Sequence, residues 1–267
     1  MLFYPQLATG ALAQYPLVKE RLERTIQNIA QDGSVISLYD IYAPQVRWIL
    51  DYESITDAEA DTITSFFESC EGSLQPFLFV DPSANLLLFN GDLTQSCWVF
   101  SSLLQITAGI ADPMGGAAAI QVVNSSQTSL PVTQSVSIPG QYTCAFSVYL
   151  RSSSGPCTVM LSRSDGNNTA SQSVSPSLAW TRFYISSTFA SSQSTLGEFS
   201  LEVPAESTVD VFGLQVDAQP HPGTYLPTTS ANATYPSARF DMNQVTVVST
   251  GPSQNNLRVN ILSPASS

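Results

Sequence analysis

His221 is the only histidine in the chain, and it stands between Pro220 and Pro222. Every Ser–His or Cys–His nucleophile pair would have to share that one imidazole, and no G-x-S-x-G turn presents a serine to it. A histidine held between two prolines reads as a surface-loop residue. Paired carboxylates could still do acid and base work, as in glycosidases, but Glu198, Glu202 and Glu206 have no distinguishing context and read as a solvated rim. Cys70, Cys97, Cys144 and Cys157 show no C-x-x-C spacing, so neither a zinc site nor a thioredoxin-like site is indicated. Buried free thiols are expected, with Cys144 and Cys157 able to bridge across neighbouring strands only under oxidation. There is no Walker loop, dinucleotide fingerprint or His-rich metal motif, and Gly115-Gly116 behind Pro113 reads as a turn. The expectation is a protein without a catalytic residue, metal site or cofactor.

Aromatic side chains are the remaining chemistry. Trp98, Phe100, Tyr149, Trp180, Tyr184 and Tyr225 fall in the later part of the chain. An exposed ring offers a large apolar face to a pyranose at little entropic cost. Trp180 and Phe183 fit an alternating strand as structural residues, which leaves Trp98 and Tyr149 as the candidate glycan contacts.

These residues need elements to position them, and one element is written out locally. Thr56 can cap the free N–H groups of a helix starting at Asp57, and Glu59 can reach back to the Thr56 N–H. Asp57 and Asp61 lie near the positive end of the helix dipole. Ile63, Phe66, Phe67 and Cys70 recur at helical spacing on one face, and Gly72 supplies a left-handed stop. A helix over 57–71 with an apolar packing face of Ile63, Phe66 and Phe67 follows. The flanking strands alternate: Val46, Trp48, Leu50 and Tyr52 before it, Phe77 and Phe79 after it.

The 267 residues are 43% hydrophobic and 11% charged, with a formal net charge of −12 and a pI near 4.2. That supplies a core for one large or two ordinary domains. Nine Lys and Arg against 21 carboxylates cannot track a phosphate backbone, so no sequence-specific nucleic acid partner is expected. The apolar run Leu86 to Phe89 is far shorter than a membrane span, and the opening MLFYPQLATG lacks the pattern of a secretory signal, so a cytoplasmically made, soluble protein is expected.

The first third of the chain holds more than half of the carboxylates, while the remainder is crowded with Ser, Thr, Ala, Gly and Pro. In that remainder, Tyr142 to Leu150 alternates, followed by strand-like runs at 180–185, 199–203 and 209–216, with turn-rich stretches such as Asp165 to Asn168 between. This is the pattern of an all-β sandwich. Residues 18–30 are ambiguous: Val18, Leu22, Ile26 and Ile29 make a helical stripe, yet Asp32-Gly33 is equally a type I′ hairpin turn leading into Val35, Ile36 and Leu38.

Two resemblances bear on these segments. The pattern Arg24 to Asn28, Asp32-Gly33-Ser34, Trp48-x-Leu50-x-Tyr52, Ile55 to Glu59, Phe66-Phe67, Gly72 and Phe77-x-Phe79-x-Asp81-Pro82 resembles the tail-tube-like module of tailed-phage minor-tail and distal-tail proteins. That resemblance implies a β-sandwich with one packed helix, and it assigns residues 18–30 to a strand hairpin turning at Asp32-Gly33. Residues 86–229 resemble the carbohydrate-binding-like jelly rolls carried by phage structural proteins. The residues concerned are Phe89 to Trp98, Asp112-Pro113-x-Gly115-Gly116, the strand Tyr142 to Leu150, Trp180-x-Arg182-Phe183, Val211 to Val216 and Pro222 to Thr228.

Together they imply a mainly β chain: a split tail-tube-like module, 1–85 plus 230–267, interrupted by an inserted jelly roll, 86–229. The implied role is structural, a homo-oligomeric ring at the tip of a virion tail or tail-like particle, in contact with other tail proteins, its acidity suiting a lumen through which DNA slides. The alternative is an adhesion protein whose jelly roll binds host-surface glycans, and a glycosidase stands behind both. A calcium site often accompanies such jelly rolls, and no residues here match one.

Overall fold

A computed structural model of the chain describes residues 1–40, 43–153, 155–231 and 233–265. The chain opens with β1 (Val18–Leu22), β2 (Thr25–Ile29), β3 (Val35–Tyr39), β4 (Gln45–Ile55), the helix α1 (Asp57–Ser69) and β5 (Phe77–Val80). The middle holds β6 (Trp98–Phe100), β7 (Leu104–Ile110), β8 (Ala119–Asn124), β9 (Leu130–Ser137) and β10 (Cys144–Ser152). It continues with β11 (Val159–Ser164), β12 (Thr169–Val174), β13 (Thr181–Ser187), β14 (Leu196–Val203) and β15 (Ser207–Asp217). The last strands are β16 (Thr234–Phe240), β17 (Val247–Gly251) and β18 (Gln254–Pro264). The fold class is mainly β, with sandwich-like sheets and α1. No helix among the described residues is long and apolar enough to cross a membrane.

The chain divides into two compact units. Met1–Ala8, Leu12–Val80 and Tyr235–Ser267 form unit 1, and Thr9–Ala11 with Asp81–Thr234 form unit 2. These bounds lie outside the expected 85/86 and 229/230. The reason is local: Asn85 is bound into unit 2, its Nδ2 donating to the Leu214 and Leu226 carbonyls and its Oδ1 accepting from the Val216 N–H, while the Asp81 N–H donates to the Ala233 carbonyl.

Unit 1 is built on a six-stranded sheet in the order β1-β4-β18-β16-β5, with β17 paired to β18. Chain segments from both sides of unit 2 therefore share one ladder. Along β4, Val46, Trp48, Leu50 and Tyr52 are buried while the residues between them are not, the period-2 alternation of a half-covered strand. The buried face carries an aromatic cluster: Trp48 lies 4.9 Å from Phe79 and 4.6 Å from Tyr235, and Phe77 lies 4.9 Å from Phe240. Helix α1 is fixed by a reciprocal capping box at Thr56 and Glu59, and it buries Ile63. Phe66 packs edge-on against Tyr4, Phe77 and Phe240, and Phe67 against Phe240. The helix ends where Glu71 and Gly72 both take positive φ.

β2 and β3 form a separate two-stranded ribbon. The hairpin assigned to 18–30 is formed by 25–29 alone, while 18–22 is a separate strand, β1, paired with β4; the helical stripe is not used. The turn differs from a two-residue type I′ loop. The Ala30 N–H donates to the Ser34 carbonyl, the Gly33 N–H donates back to Ala30, and Gly33 holds φ +82°, which is a three-residue loop with its glycine in the left-handed position.

Unit 2 is a jelly-roll sandwich of two five-stranded sheets, β13-β10-β15-β8-β7 and β12-β11-β14-β9-β6. Phe146 of the first meets Phe199 of the second at 5.7 Å. Val148, Leu150, Val209, Val211, Leu161 and Leu201 complete a fully covered core. Fixing which residues of β10 face inward also fixes which face out, and those outward positions make the site described next.

Candidate functional site

Residues paired across antiparallel strands share a face, so the register of the first sheet of unit 2 reads out its outer surface directly. Since Phe146 points into the core, Ser147, Tyr149 and Arg151 point away. Across the sheet Arg151 is opposite Asp210, Asp210 is opposite Gln121, and Gln121 is opposite Thr107. Trp180, just before β13, lies beside Arg151 and completes a row from Thr107 to Trp180. A second row runs from Phe212 through Tyr149 to Arg182.

The first row is organised by a buried carboxylate. Asp210 is 1% exposed, and a carboxylate withdrawn from water needs paired donors. Arg151 gives it Nε at 3.0 Å and Nη2 at 2.7 Å, and Gln121 gives Nε2 at 3.1 Å. The Arg151 guanidinium is held over the Trp180 ring at 4.8 Å. Among the described residues its Nη1 has no hydrogen-bond partner, and its position is set by charge-assisted bonds instead of by loop chance.

The second row is organised by a glycine. Gly213 takes φ +66° at the point where the β10–β15 register shifts. A Cβ there would stand 3.1 Å from the Tyr225 ring and 3.2 Å from the Tyr149 ring. Only glycine combines that backbone conformation with two aromatic rings closing over it. Phe212 then packs at a tilt 5.9 Å from Tyr149 and 4.8 Å from Tyr225. Gln215 secures the segment carrying Tyr225, donating to the Thr224 carbonyl and to both oxygens of Asp217 while accepting the Leu226 N–H. Burial pushes the Asp217 carboxyl up to about 6, opposed by the Gln215 bonds, the Gly223 N–H and the nearby charge of Arg182.

The two expected glycan contacts are not brought together. Tyr149 lies on this outer face, half-buried, with the Arg182 guanidinium 5.3 Å from its ring. Trp98 is 5% exposed on β6, at the edge of the opposite sheet, and its indole N–H donates to the Phe89 carbonyl at 3.1 Å. A tryptophan with its one donor spent and its ring covered is a packing residue, so the expectation for Trp98 is corrected. Trp180, read from the sequence as structural, is the half-buried indole beside the polar row. A signal for it existed: in 180–185 the inward set is Thr181, Phe183 and Ile185, which leaves Trp180, Arg182 and Tyr184 on the other side.

Other candidates disperse. His221 is exposed, 6.2 Å from the Tyr184 ring. Glu198 and Glu202 lie on β14, in the sheet across the sandwich. All four cysteines are free, and burial pushes the Cys144 thiol up to about 11, which keeps it protonated and unreactive. Among the described residues no group of three or more His, Cys, Asp or Glu is placed to hold a metal ion. The outer face thus offers aromatic ring surface, a fixed guanidinium edge, an amide and hydroxyls: the equipment for binding a polyhydroxylated ligand.

No protein-family model matches the chain, and no curated protein matches it in sequence. Among solved structures it is similar to the carbohydrate-binding module TmCBM61, determined in complex with β-1,4-galactotriose, at 19% identity over 50% of this chain and 98% of that one, TM-score 0.40. It is also similar to the CBM22-1 xylan-binding domain of Paenibacillus barcinonensis Xyn10C, at 12% identity over 54% and 100%, TM-score 0.43. A third is the C-terminal family 22 carbohydrate binding module of Clostridium thermocellum Xyn10B, at 14% identity over 54% and 100%, TM-score 0.41. At these identities and scores none of them decides what this chain binds.

Proposed function

We propose that unit 2 is a non-catalytic glycan-binding module and that its site is the outer face of the β13-β10-β15-β8-β7 sheet. The observation that carries this reading is the Gln121–Asp210–Arg151 network laid beside Trp180. Sugars are recognised by ring stacking together with directed hydrogen bonds, and here a buried carboxylate fixes the donors next to the indole. The row crosses five strands, roughly 19 Å at about 4.8 Å per spacing, which suits a short oligosaccharide lying across the strands. Soluble oligosaccharides titrated into the full chain by calorimetry test it. Trp180→Ala is expected to lower affinity about tenfold, the scale of one lost aromatic contact. Failure of a broad panel of neutral and acidic glycans to bind at millimolar concentration would remove the proposal.

A second reading concerns unit 1: assembly into a homo-oligomeric ring of a virion tail or tail-like particle, with unit 2 as its host-surface adhesion module. One observation favours it. The β2–β3 ribbon exposes Ile26, Ile29, Val35, Ile36, Leu38 and Tyr39, with Ile29 74% accessible. An apolar ribbon with both faces in water is a surface awaiting a partner. Sedimentation of the full chain should show oligomers that the double variant Ile36→Ser, Leu38→Ser reduces to monomer. A wild-type chain that stays monomeric at high concentration counts against assembly.

A further inference from the structure

The cations of unit 2 are distributed unevenly. Between Asp81 and Thr234 the only Lys or Arg side chains are Arg151, Arg163 and Arg182, against nine carboxylates. Arg163 is fully buried and its Nη groups are taken up by backbone carbonyls. The other two both lie on the proposed glycan face, each over an aromatic ring. Any other approach to unit 2 presents an anion with carboxylates and no accessible cation.

The two guanidinium groups are not equivalent. Arg151 is matched by Asp210, so that pair is neutral as a whole. Arg182 has no carboxylate within ion-pair distance among the described residues. Its Nη1 donates to the Gly223 carbonyl at 2.7 Å and its Nη2 to Ser147 Oγ at 2.9 Å, and its Nε is buried without an acceptor. Asp217 is close enough to sense the charge, yet it gives its oxygens to Gln215 Nε2 and the Gly223 N–H. A guanidinium has five N–H donors, so one on each Nη is left over. The group is half-buried against Tyr149, where a cation without a directly paired carboxylate is costly and a charge-assisted pair with an incoming anion is favourable. Its planar fork matches a carboxylate.

We propose that the glycan face of unit 2 selects anionic, carboxylate-bearing sugars of the uronate type, with Arg182 as the residue that sets this preference. The inference rests on the glycan-binding reading of the same face.

The test compares galacturonate oligosaccharides with their fully methyl-esterified counterparts, which keep the rings and lose the charge, at pH 7.5 with the full chain. The acid is expected to bind at least tenfold more tightly than the ester, with the gap closing in about 0.5 M salt as screening shortens to a few ångströms. Arg182→Gln should bring the two affinities to within about twofold of each other, and Arg182→Lys should restore part of the gap. Melting curves of both variants check that they are folded. The wild-type acid-to-ester ratio stands as a test in its own right if either is not. Equal binding of acid and ester, or a ratio unmoved by Arg182→Gln in a folded protein, would overturn the proposal. Binding of neutral glycans with rejection of the galacturonate acid would overturn it while leaving the glycan-binding reading intact. Binding of no glycan at all would sink both.

Discussion

Replacing Arg163 with Met is expected to take about 3–5 kcal/mol from the stability of unit 2, the scale of leaving several backbone carbonyls without their donor, offset in part by the charge no longer buried. Arg163 sits on β11 with no exposed surface. Its Nη1 donates to the Tyr142 carbonyl at 2.7 Å and the Ser187 carbonyl at 2.6 Å, and its Nη2 to the Gly140 carbonyl at 3.0 Å. One side chain thereby ties the approach to β10 to the end of β13. The guanidinium also lies 5.1 Å from the Phe189 ring and 5.9 Å from Phe199. Met fills the volume and supplies no N–H, leaving buried carbonyls short of a donor at about 1–3 kcal/mol each. Removing the charge relieves its own burial cost, but the backbone geometry that was built around it stays. Scanning calorimetry of the full chain should show the unit 2 transition lowered by about 10 °C. Arg163→Lys should recover only part of this, because an ammonium is a compact point charge and not a planar fork spanning several acceptors. An unchanged transition would mean that these carbonyls are satisfied by water.

Phe66→Ala is expected to cost unit 1 about 3–5 kcal/mol, as large aromatic truncations in cores do. The ring is held edge-on by Phe77 at 5.2 Å, Tyr4 at 5.8 Å and Phe240 at 5.8 Å. These partners come from α1's flanking strand, the N-terminal segment and β16, so the cavity would loosen three segments at once. Phe66 is half-buried, which places the cost toward the lower end of the range. The unit 1 transition should fall and the unit 2 transition should hold. If the first transition is unchanged and only self-association fails, the helix face is an interface and not a core.

The helix shows how much can be read locally. Thr56, Glu59 and Gly72 lie within a few residues of the backbone groups they act on, so their capping and stop roles need no knowledge of the rest of the fold. The same holds for the alternation of Val46 to Tyr52 and of Cys144 to Leu150, because a pleated strand puts every second side chain on one face wherever it is placed. The segment 18–30 marks the limit. Its apolar spacing satisfies a helix, yet 18–22 becomes the edge strand β1 beside β4 and 25–29 becomes β2 of a ribbon whose side chains are exposed, so burial gave the sequence no period to display.

The candidate site was legible only in part, for a related reason. Alternation identified Tyr149 as a residue of β10 pointing away from Phe146, but it could not say whether a neighbouring segment covers it. Trp98 and Trp180 both stand at the start of strand-like runs. One is covered within the sheet edge and the other stands beside Arg151; the alternation of 180–185 puts Trp180 on the outward side, but nothing within a few residues of either ring says whether another segment covers it.

What the sequence determined by itself is the mainly β class, the capped helix and its apolar face, and the single histidine that any histidine-based nucleophile pair would have to share. What only the tertiary structure decided is the site. Arg151 reaches Asp210 across 59 residues and Gln121 reaches it across 89, and the unpaired state of Arg182 depends on where Asp217, Gly223 and Ser147 come to rest around it. Local patterns report the conformation of a strand and which of its sides is apolar. The partner that neutralises a charge, or the segment that covers a ring, is chosen by sheet register over long separations, and the sequence of a single strand carries no record of it.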